Sequence, residues 1–361
     1  GGAILIASIF EAAGALIAGG DVVGTIKKGI IDPAAFGSDP MIFVYAMSAA
    51  LLAAALWLNL ATWLKAPVST THSIVGGVMG AGIAAGGFAV VSWGTMGKIA
   101  ASWVISPVLG GIIAAVFLYI IKSQIIYKED RITAAKKIVP VLVALMTAAF
   151  VAYLTLKGLK KVWPYLVETV SFLPETKKPT IGVALTLGGI GGVISYFVVR
   201  MRIVKKVIGM KNVREDINRL FTIPLVFSAA LLSFAHGAND VANAIGPLAA
   251  VNDALSSASI STTASIPLLV MVVGGLGISI GVALFGPRLI RTVGTEITEL
   301  DQTRAFSIMM AASLTVVIAT QLGLPVSSTH IAVGAVFGVG FLREWIDLSL
   351  IHISEPTRPV G

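Results

Sequence analysis

The sequence predicts an all-α polytopic membrane protein built from two inverted repeats, and three observations lead to this prediction. Of the 361 residues, 56% are hydrophobic and only 12% are charged, whereas a soluble domain carries about 25% charged residues. Several apolar runs approach or reach about 20 residues, the length that crosses the hydrocarbon core of a bilayer. One polar motif also occurs twice. The chain has no cysteine, which excludes disulfides and cysteine-ligated metals.

Apolar segments account for most of the chain, and basic residues concentrate in the loops between them. The basic loops at 122–137 and 200–219 are separated by two crossings, so both lie on one side, which the positive-inside rule makes cytoplasmic. The loop at 157–180 carries lysines on the predicted outer side and disagrees with this rule. Loop topology thus explains the net charge of +8, and no nucleic-acid partner is expected. The segments are 3–20, 41–64, 67–90, 99–121, 138–156, 181–199, 221–250, 267–286, 305–323 and 325–342.

The internal repeat is a polar motif that follows an apolar helix at two places. Residues 67–77 read Pro-Val-Ser-Thr-Thr-His-Ser-Ile-Val-Gly-Gly. Residues 325–335 read Pro-Val-Ser-Ser-Thr-His-Ile-Ala-Val-Gly-Ala. An odd number of predicted crossings separates equivalent points of the two copies, which inverts the second copy relative to the first. Inverted repeats are a transporter architecture, with the binding site near the midplane between them.

Each copy of the motif places three hydroxyl-bearing residues at the N-terminus of a helix. One such residue suffices to cap a helix, so three in a row favour a second role, with plain capping as the alternative. Helix N-termini expose N–H groups and partial positive charge, and they bind anions, phosphate above all. We therefore predict an anion cradle formed by both copies. Its members are Ser69, Thr70, Thr71, Ser327, Ser328 and Thr329, and the neighbouring His72 and His330 are candidate proton carriers or phosphate donors.

A second polar stretch, residues 233–247, interrupts an apolar run that is long enough to span a bilayer. Polar groups at membrane depth are costly and usually face a cavity, a partner or a ligand. Asn239 and Asn243 share a helix face, with Asp240 beside them. Such oxygen-rich groups suit sodium, and Asp240 could also accept a hydrogen bond from a protonated phosphate oxygen; a helix–helix hydrogen-bond network is the alternative. Glycines and a proline in this stretch predict a helix whose backbone opens near the midplane.

Glu11 lies in the middle of the first apolar segment, with no charged neighbour in the sequence until Asp21. An unpaired carboxylate within the membrane is a functional candidate, either as an ion ligand or as a proton carrier. We predict that Glu11 takes part in cation coupling together with Asn239 and Asp240, which form a candidate sodium site. A position of Glu11 nearer the membrane surface is the alternative.

Residues 236–244 read His-Gly-Ala-Asn-Asp-Val-Ala-Asn-Ala and resemble the signature of the inorganic phosphate transporter (PiT) family. The two hydroxyl motifs resemble that family's hairpin tips, and residues 9–15 and 26–31 fit its first half. The resemblance covers about residues 3–342. It implies two inverted repeats with re-entrant helical hairpins, and symport of phosphate with sodium or protons. The site residues that it implies are Asn239, Asp240 and Asn243 for substrate and cation, Thr70, Thr71, Ser328 and Thr329 for phosphate, and Glu11 for ion coupling.

The repeat also predicts the domain organisation. The expected parts are a first transmembrane repeat at 1–158, a connecting helix and basic cytoplasmic loop at 159–220, a second transmembrane repeat at 221–342, and a foreign or unstructured tail at 343–361. The partner of the polar stretch would precede residue 1, and the first half's last helix has no counterpart in the second half. We therefore expect a fragment that lacks the first signature helix and the C-terminal helix, and that forms an incomplete site.

The sequence as a whole favours a secondary active transporter that imports inorganic phosphate by symport with sodium or protons, and not an enzyme. The alternatives are a carrier of another oxyanion such as sulfate or arsenate, an anion channel, and a membrane enzyme that uses His236 and Asp240. The expected location is a prokaryotic inner or plasma membrane, crossed several times. The expected partners are phosphate, sodium or protons, and membrane lipid, with a homo-oligomer left open. No cofactor is expected apart from a co-transported sodium ion.

Overall fold

The computed structural model describes residues 2–36, 39–64, 66, 68–160, 162–170, 173–257, 266–296 and 301–354. Within these ranges the chain is almost entirely helical, and one antiparallel bridge joins Ile31 to Val91. The helices are α1 (Gly2–Ala18), α2 (Gly20–Lys28), α3 (Pro40–Trp63), α4 (Thr70–Gly86), α5 (Trp93–Ile121), α6 (Arg131–Gly158), α7 (Trp163–Thr169), α8 (Ile181–Lys206), α9 (Arg214–Leu220), α10 (Thr222–Ser257), α11 (Leu268–Glu296), α12 (Gln302–Gln321) and α13 (Ser328–Ser354).

The predicted all-α polytopic membrane fold is confirmed. Within the described part of the chain, seven helices are long and apolar enough to cross a membrane, namely α3, α5, α6, α8, α10, α11 and α12. Each predicted apolar segment coincides with a helix, although α1 and α4 have only 17 residues each. Continuous helices are expected here because a bilayer offers no water to satisfy free backbone groups. The inverted relation of the two halves stays a prediction.

Helix α10 is the central element, and it packs against α1, α2, α3, α11 and α12. It runs without interruption for 36 residues through the polar stretch, so the prediction of an opened backbone is wrong. The glycines serve close helix packing instead. A Cβ at Gly237 would collide with the backbone of Glu11 in α1, and one at Gly246 would collide with Ile26 in α2. Pro247 lies inside the helix and leaves the carbonyl of Asn243 without its usual donor.

Gly237→Ala is expected to lower the stability of the protein, because the added methyl group has no space between α10 and the backbone of α1. Overpacking of this kind costs about 1–3 kcal/mol. Thermal unfolding of the purified protein in detergent measures the effect. Gly189→Ala is the matched control, because Gly189 lies in α8 with open space around its Cα. There, alanine should be neutral or stabilising. Equal unfolding temperatures for the two variants would contradict the close α1–α10 contact.

Two helical hairpins, α3–α4 and α12–α13, bring their tips together beside the middle of α10. The Thr71 hydroxyl in the first turn of α4 donates to the carbonyl of Val326 in the second tip at 3.0 Å. Gly323, at a φ of +68°, forms the turn after α12, and its carbonyl accepts from the Thr25 hydroxyl of α2 at 2.8 Å. Pro67, which opens the first motif, lies outside the described residues.

The basic loops 122–137 and 200–219 lie on the same side of the protein, as predicted. The backbone N–H of Arg131 donates to the Asn212 side chain at 2.9 Å, and the Arg131 guanidinium donates to the Asn212 carbonyl at 3.1 Å. The assignment of this side to the cytoplasm stays a prediction.

The predicted tail begins as regular helix. Helix α13 continues from Ser328 to Ser354 without a break at residue 343, so residues 343–354 are helical rather than unstructured. The physical reason is that no glycine or proline occurs between residues 341 and 355 to end the helix. The remaining residues, 355–361, lie outside the described part of the chain.

Candidate functional site

A polar cluster forms where the first hairpin tip meets the middle of α10. The Thr70 hydroxyl donates to Asp240 Oδ2 at 2.7 Å. Asn243 Nδ2 lies 3.2 Å from the hydroxyl oxygens of both Thr70 and Thr71 and donates to them. Tertiary packing therefore assembles four of the predicted substrate-binding residues into one hydrogen-bonded group.

Asn239 connects this cluster to the second hairpin. Its side chain is almost fully buried, and its Nδ2 atom donates to the Thr320 hydroxyl at 3.0 Å and to the Leu324 carbonyl at 3.2 Å. Thr320 lies near the end of α12, and Leu324 lies in the second tip. Sequence reasoning missed Thr320, because a threonine inside an apolar helix carries no signal of its own. The contacts resemble the helix–helix network that the sequence left open as the alternative.

Three acceptor oxygens in the cluster are buried and have no hydrogen-bond donor within the described residues. They are the Oδ1 atoms of Asn239, Asp240 and Asn243. A buried acceptor without a donor costs about 1–3 kcal/mol. Three of them close together therefore indicate a site for a bound ligand. A cation or a protonated ligand oxygen would satisfy these acceptors, and the negative charge of Asp240 favours a cation.

Glu11 joins the cluster through a histidine. His236 Nδ1 lies 3.2 Å from Glu11 Oε2, and His236 Nε2 lies 3.3 Å from Asp240 Oδ2. Glu11 is buried, and its contact has an ion-pair distance without the alignment of a hydrogen bond. The expectation of an unpaired carboxylate is therefore wrong, whereas the depth of Glu11 in the membrane stays a prediction. The partner lies far along the chain, and close packing of α1 on α10 at Gly14 and Gly237 brings the groups together.

The first serine of each hydroxyl motif caps the helix that follows it. Ser69 Oγ accepts from the His72 N–H at 3.1 Å, and Ser327 Oγ accepts from the His330 N–H at 3.2 Å. The capping alternative thus applies to these two residues. Ser328 and Thr329 are partly exposed in the first turn of α13 and form no side-chain hydrogen bond with the cluster in the described structure. Their predicted role in phosphate binding stays a prediction.

The histidine rings of the two motifs lie next to each other at the junction of the tips, tilted by 58°. The ring centroids of His72 and His330 are 4.7 Å apart, and the Trp103 ring lies 3.6 Å from that of His72. Trp103 Nε1 also donates to the carbonyl of Pro325 at 3.1 Å, which ties α5 to the second tip. Sequence reasoning missed Trp103, because a tryptophan in an apolar helix is not distinguishable from a lipid-facing one.

A buried ion pair on α10 was also not predicted. Lys27 Nζ of α2 lies 3.1 Å from Asp253 Oδ2, and both side chains are about nine-tenths buried. No signal in the sequence indicated this pair beyond a position in the connections that follow segments 3–20 and 221–250. The pair holds α2 against α10 beyond Asn243, and within the described part of the chain it shares no hydrogen bond with the polar cluster.

Comparison with known proteins gives consistent matches. A sequence profile described as "Phosphate transporter family" matches residues 1–354. Proteins from two Helicobacter pylori strains with the name "Putative phosphate permease" are 53% identical over 347 residues, which is 95% of this chain and 62% of each relative. A Pyrococcus abyssi protein of the same description is 40% identical over 345 residues, covering 94% of this chain and 80% of the relative. This chain therefore spans slightly less than two thirds of the Helicobacter proteins.

One solved structure is similar in both fold and sequence. It is described as "The sodium-dependent phosphate transporter" and superposes with a TM-score of 0.84 at 35% identity. The match covers 97% of this chain and 83% of that chain.

Proposed function

This chain belongs to the phosphate transporter family, and from this premise we propose that the protein imports inorganic phosphate across a prokaryotic cell membrane by symport with sodium or protons. The family and its relatives are transporters and permeases, not enzymes. The His236–Asp240 pair, the basis of the enzyme alternative, fits a coupling role instead. The observation that supports the proposal most strongly is the polar cluster of hydroxyls, amides and one carboxylate in the middle of α10.

Phosphate would bind at the tip of the first hairpin. Thr70 and Thr71 present hydroxyls at the N-terminus of α4, where free N–H groups carry partial positive charge. Ser69 and Ser327 would hold the two helix starts, and Ser328 and Thr329 would contribute from the second tip. Asn243 Nδ2 donates to both hydroxyls and would hold them in place.

The cation would bind on the opposite side of Asp240. Asn239 and Asp240 each have a buried oxygen that finds no donor among the described residues. The Asn243 carbonyl, freed by Pro247, is a third oxygen on the same helix. These oxygens suit sodium. The connected side chains of Glu11, His236 and Asp240 would hold a proton equally well. The proposal therefore keeps both sodium and the proton as coupling ions. Cation and phosphate would neutralise each other in a site of low dielectric constant, which couples their binding. Rocking of the two repeats would then alternate access.

Asp240 also offers a basis for selecting among oxyanions. A carboxylate accepts a hydrogen bond from a protonated phosphate or arsenate oxygen, whereas fully ionised sulfate has no proton to donate. Phosphate transport should therefore be inhibited by arsenate and hardly at all by sulfate.

Uptake of radiolabelled phosphate by proteoliposomes that contain the full-length protein tests the proposed function. Phosphate should accumulate against its gradient when a sodium or a pH gradient is imposed. Accumulation under neither gradient would overturn the symport proposal. Equilibration that needs no co-ion would indicate a channel, and stronger inhibition by sulfate than by arsenate would indicate another oxyanion carrier.

The double variant Thr70→Val, Thr71→Val is expected to raise the phosphate concentration for half-maximal uptake by about tenfold or more. The two substitutions together would remove at least one hydrogen bond to a charged phosphate oxygen, worth about 1.5–3 kcal/mol, and valine keeps the shape of the side chain. Thr186→Val is the control, because Thr186 is exposed on α8 and its hydroxyl donates to the Gly182 carbonyl of the same helix. An unchanged half-maximal concentration in a folded double variant would remove these hydroxyls from the phosphate site.

A further inference from the structure

A cavity of about 390 Å³ lies between α6, α8 and the start of α10, and it shares no lining residue with the polar cluster. This volume lies within the range of about 300–1,000 Å³ that is usual for small-molecule sites. Its floor consists of buried apolar side chains, among them Val143 and Met146 of α6. Its outer wall contains Ile223 and Phe227 of α10, which are 51% and 60% exposed. The cavity therefore opens sideways, toward the lipid that surrounds a membrane-spanning helix.

Two basic side chains line the same cavity at one end. Arg202 and Lys206 are four residues apart near the end of α8 and share a helix face. Within the described residues neither has a carboxylate partner; Lys206 Nζ has only a 3.4 Å contact with the Arg219 carbonyl. The nearby carboxylate of Asp216 is used by Arg219 and by the Lys211 N–H. This end of the cavity thus carries two cations that form no ion pair with a carboxylate among the described residues.

The position of this pair matches the level of lipid headgroups. It belongs to the basic region 200–219, which the positive-inside rule assigns to the cytoplasmic surface. An apolar cavity next to two basic residues is complementary to an amphiphile with a negative headgroup. Basic pockets between transmembrane helices on the cytoplasmic side are known to bind anionic lipid headgroups.

We propose that this cavity binds one anionic phospholipid, with the headgroup phosphate at Arg202 and Lys206 and an acyl chain between α6, α8 and α10. The lipid would fill the space between α8 and the start of α10. This site is independent of the proposed transport function, because its binding can be measured without uptake.

The test compares binding of phosphatidylglycerol and phosphatidylcholine to the purified full-length protein, by native mass spectrometry and by lipid-dependent thermal stabilisation. Arg202→Gln with Lys206→Gln should weaken phosphatidylglycerol binding about tenfold or more, since each basic residue near a charged membrane contributes about a few-fold. Phosphatidylcholine binding should not change. The matched control is Arg200→Gln with Lys205→Gln, which removes the same charge from α8 at positions that do not line the cavity.

A second variant tests the acyl chain. Val198 lies in the wall that α8 contributes to the cavity and is partly exposed. Val198→Trp would fill the cavity and keep the charges of Arg202 and Lys206. It should abolish binding of long-chain phosphatidylglycerol.

The proposal would be overturned if the Arg202/Lys206 and Arg200/Lys205 double variants lost the same amount of phosphatidylglycerol binding. Such a result would mean that the basic surface of α8 as a whole attracts the lipid. Unchanged lipid binding in Val198→Trp, or competition by inorganic phosphate as effective as by the lipid, would also overturn it, because the site would then recognise an anion alone.

Discussion

Asp240→Asn is expected to reduce phosphate uptake about 30-fold or more while the protein stays folded. Removing one charge from a buried ionic contact costs about 2–5 kcal/mol, and for Asp240 this contact would be with the bound cation. Asparagine can still accept the Thr70 hydroxyl, but it removes the negative charge next to His236 and beside the proposed cation site. Uptake by proteoliposomes under a sodium gradient and under a pH gradient measures the loss.

Glu168→Gln is the control for this prediction. Glu168 is an exposed carboxylate on α7, so the same chemical change occurs away from the cluster. It should leave uptake unchanged. If Asp240→Asn also kept normal uptake under both gradients, the carboxylate could not be part of the transport site, and the proposed function would lose its central residue.

Glu11→Gln is expected to reduce gradient-driven accumulation about tenfold or more but to preserve exchange of external for internal phosphate. Glu11 reaches the cluster only through His236 and has no hydrogen bond with Thr70, Thr71 or Asn243 in the described structure. Its loss should therefore affect coupling more than phosphate binding. The ratio of net accumulation to phosphate exchange, measured in the same vesicles, gives the result.

His236→Gln should reproduce this phenotype, because the imidazole is the contact between Glu11 and Asp240. Glu175→Gln, on an exposed loop, is the matched control. Equal loss of exchange and accumulation in Glu11→Gln would assign Glu11 to substrate binding or to folding. No change in either quantity would exclude it from coupling.

The helices were predictable because their cause is local. An apolar run of about 20 residues must satisfy its backbone internally in a bilayer, and its hydropathy is visible in the sequence. The same holds for the caps at Ser69 and Ser327, since a serine before a helical run bonds to an N–H three residues ahead. The polar character of the candidate site was visible for a related reason: amides and a carboxylate inside an apolar segment are too costly to be accidental.

The unbroken course of α10 was not predictable, because glycine and proline have two opposite uses in a membrane helix. They can open the backbone or allow close approach of another helix. The neighbour decides between the two, and here Glu11 and Ile26 lie against Gly237 and Gly246. The ion pair of Lys27 with Asp253 and the ring contact of His72 with Trp103 depend in the same way on neighbours far along the chain.

By itself, the sequence determined the all-α membrane fold, the helix positions and the chemical types of the site residues, because these depend on hydropathy and on short-range bonding. Tertiary structure alone decided which of them meet. Thr70 reaches Asp240, Asn239 reaches the second tip, and Glu11 gains a partner in His236, since each contact requires two distant helices to pack with particular faces together. A helix period reveals a face but not the element that covers it.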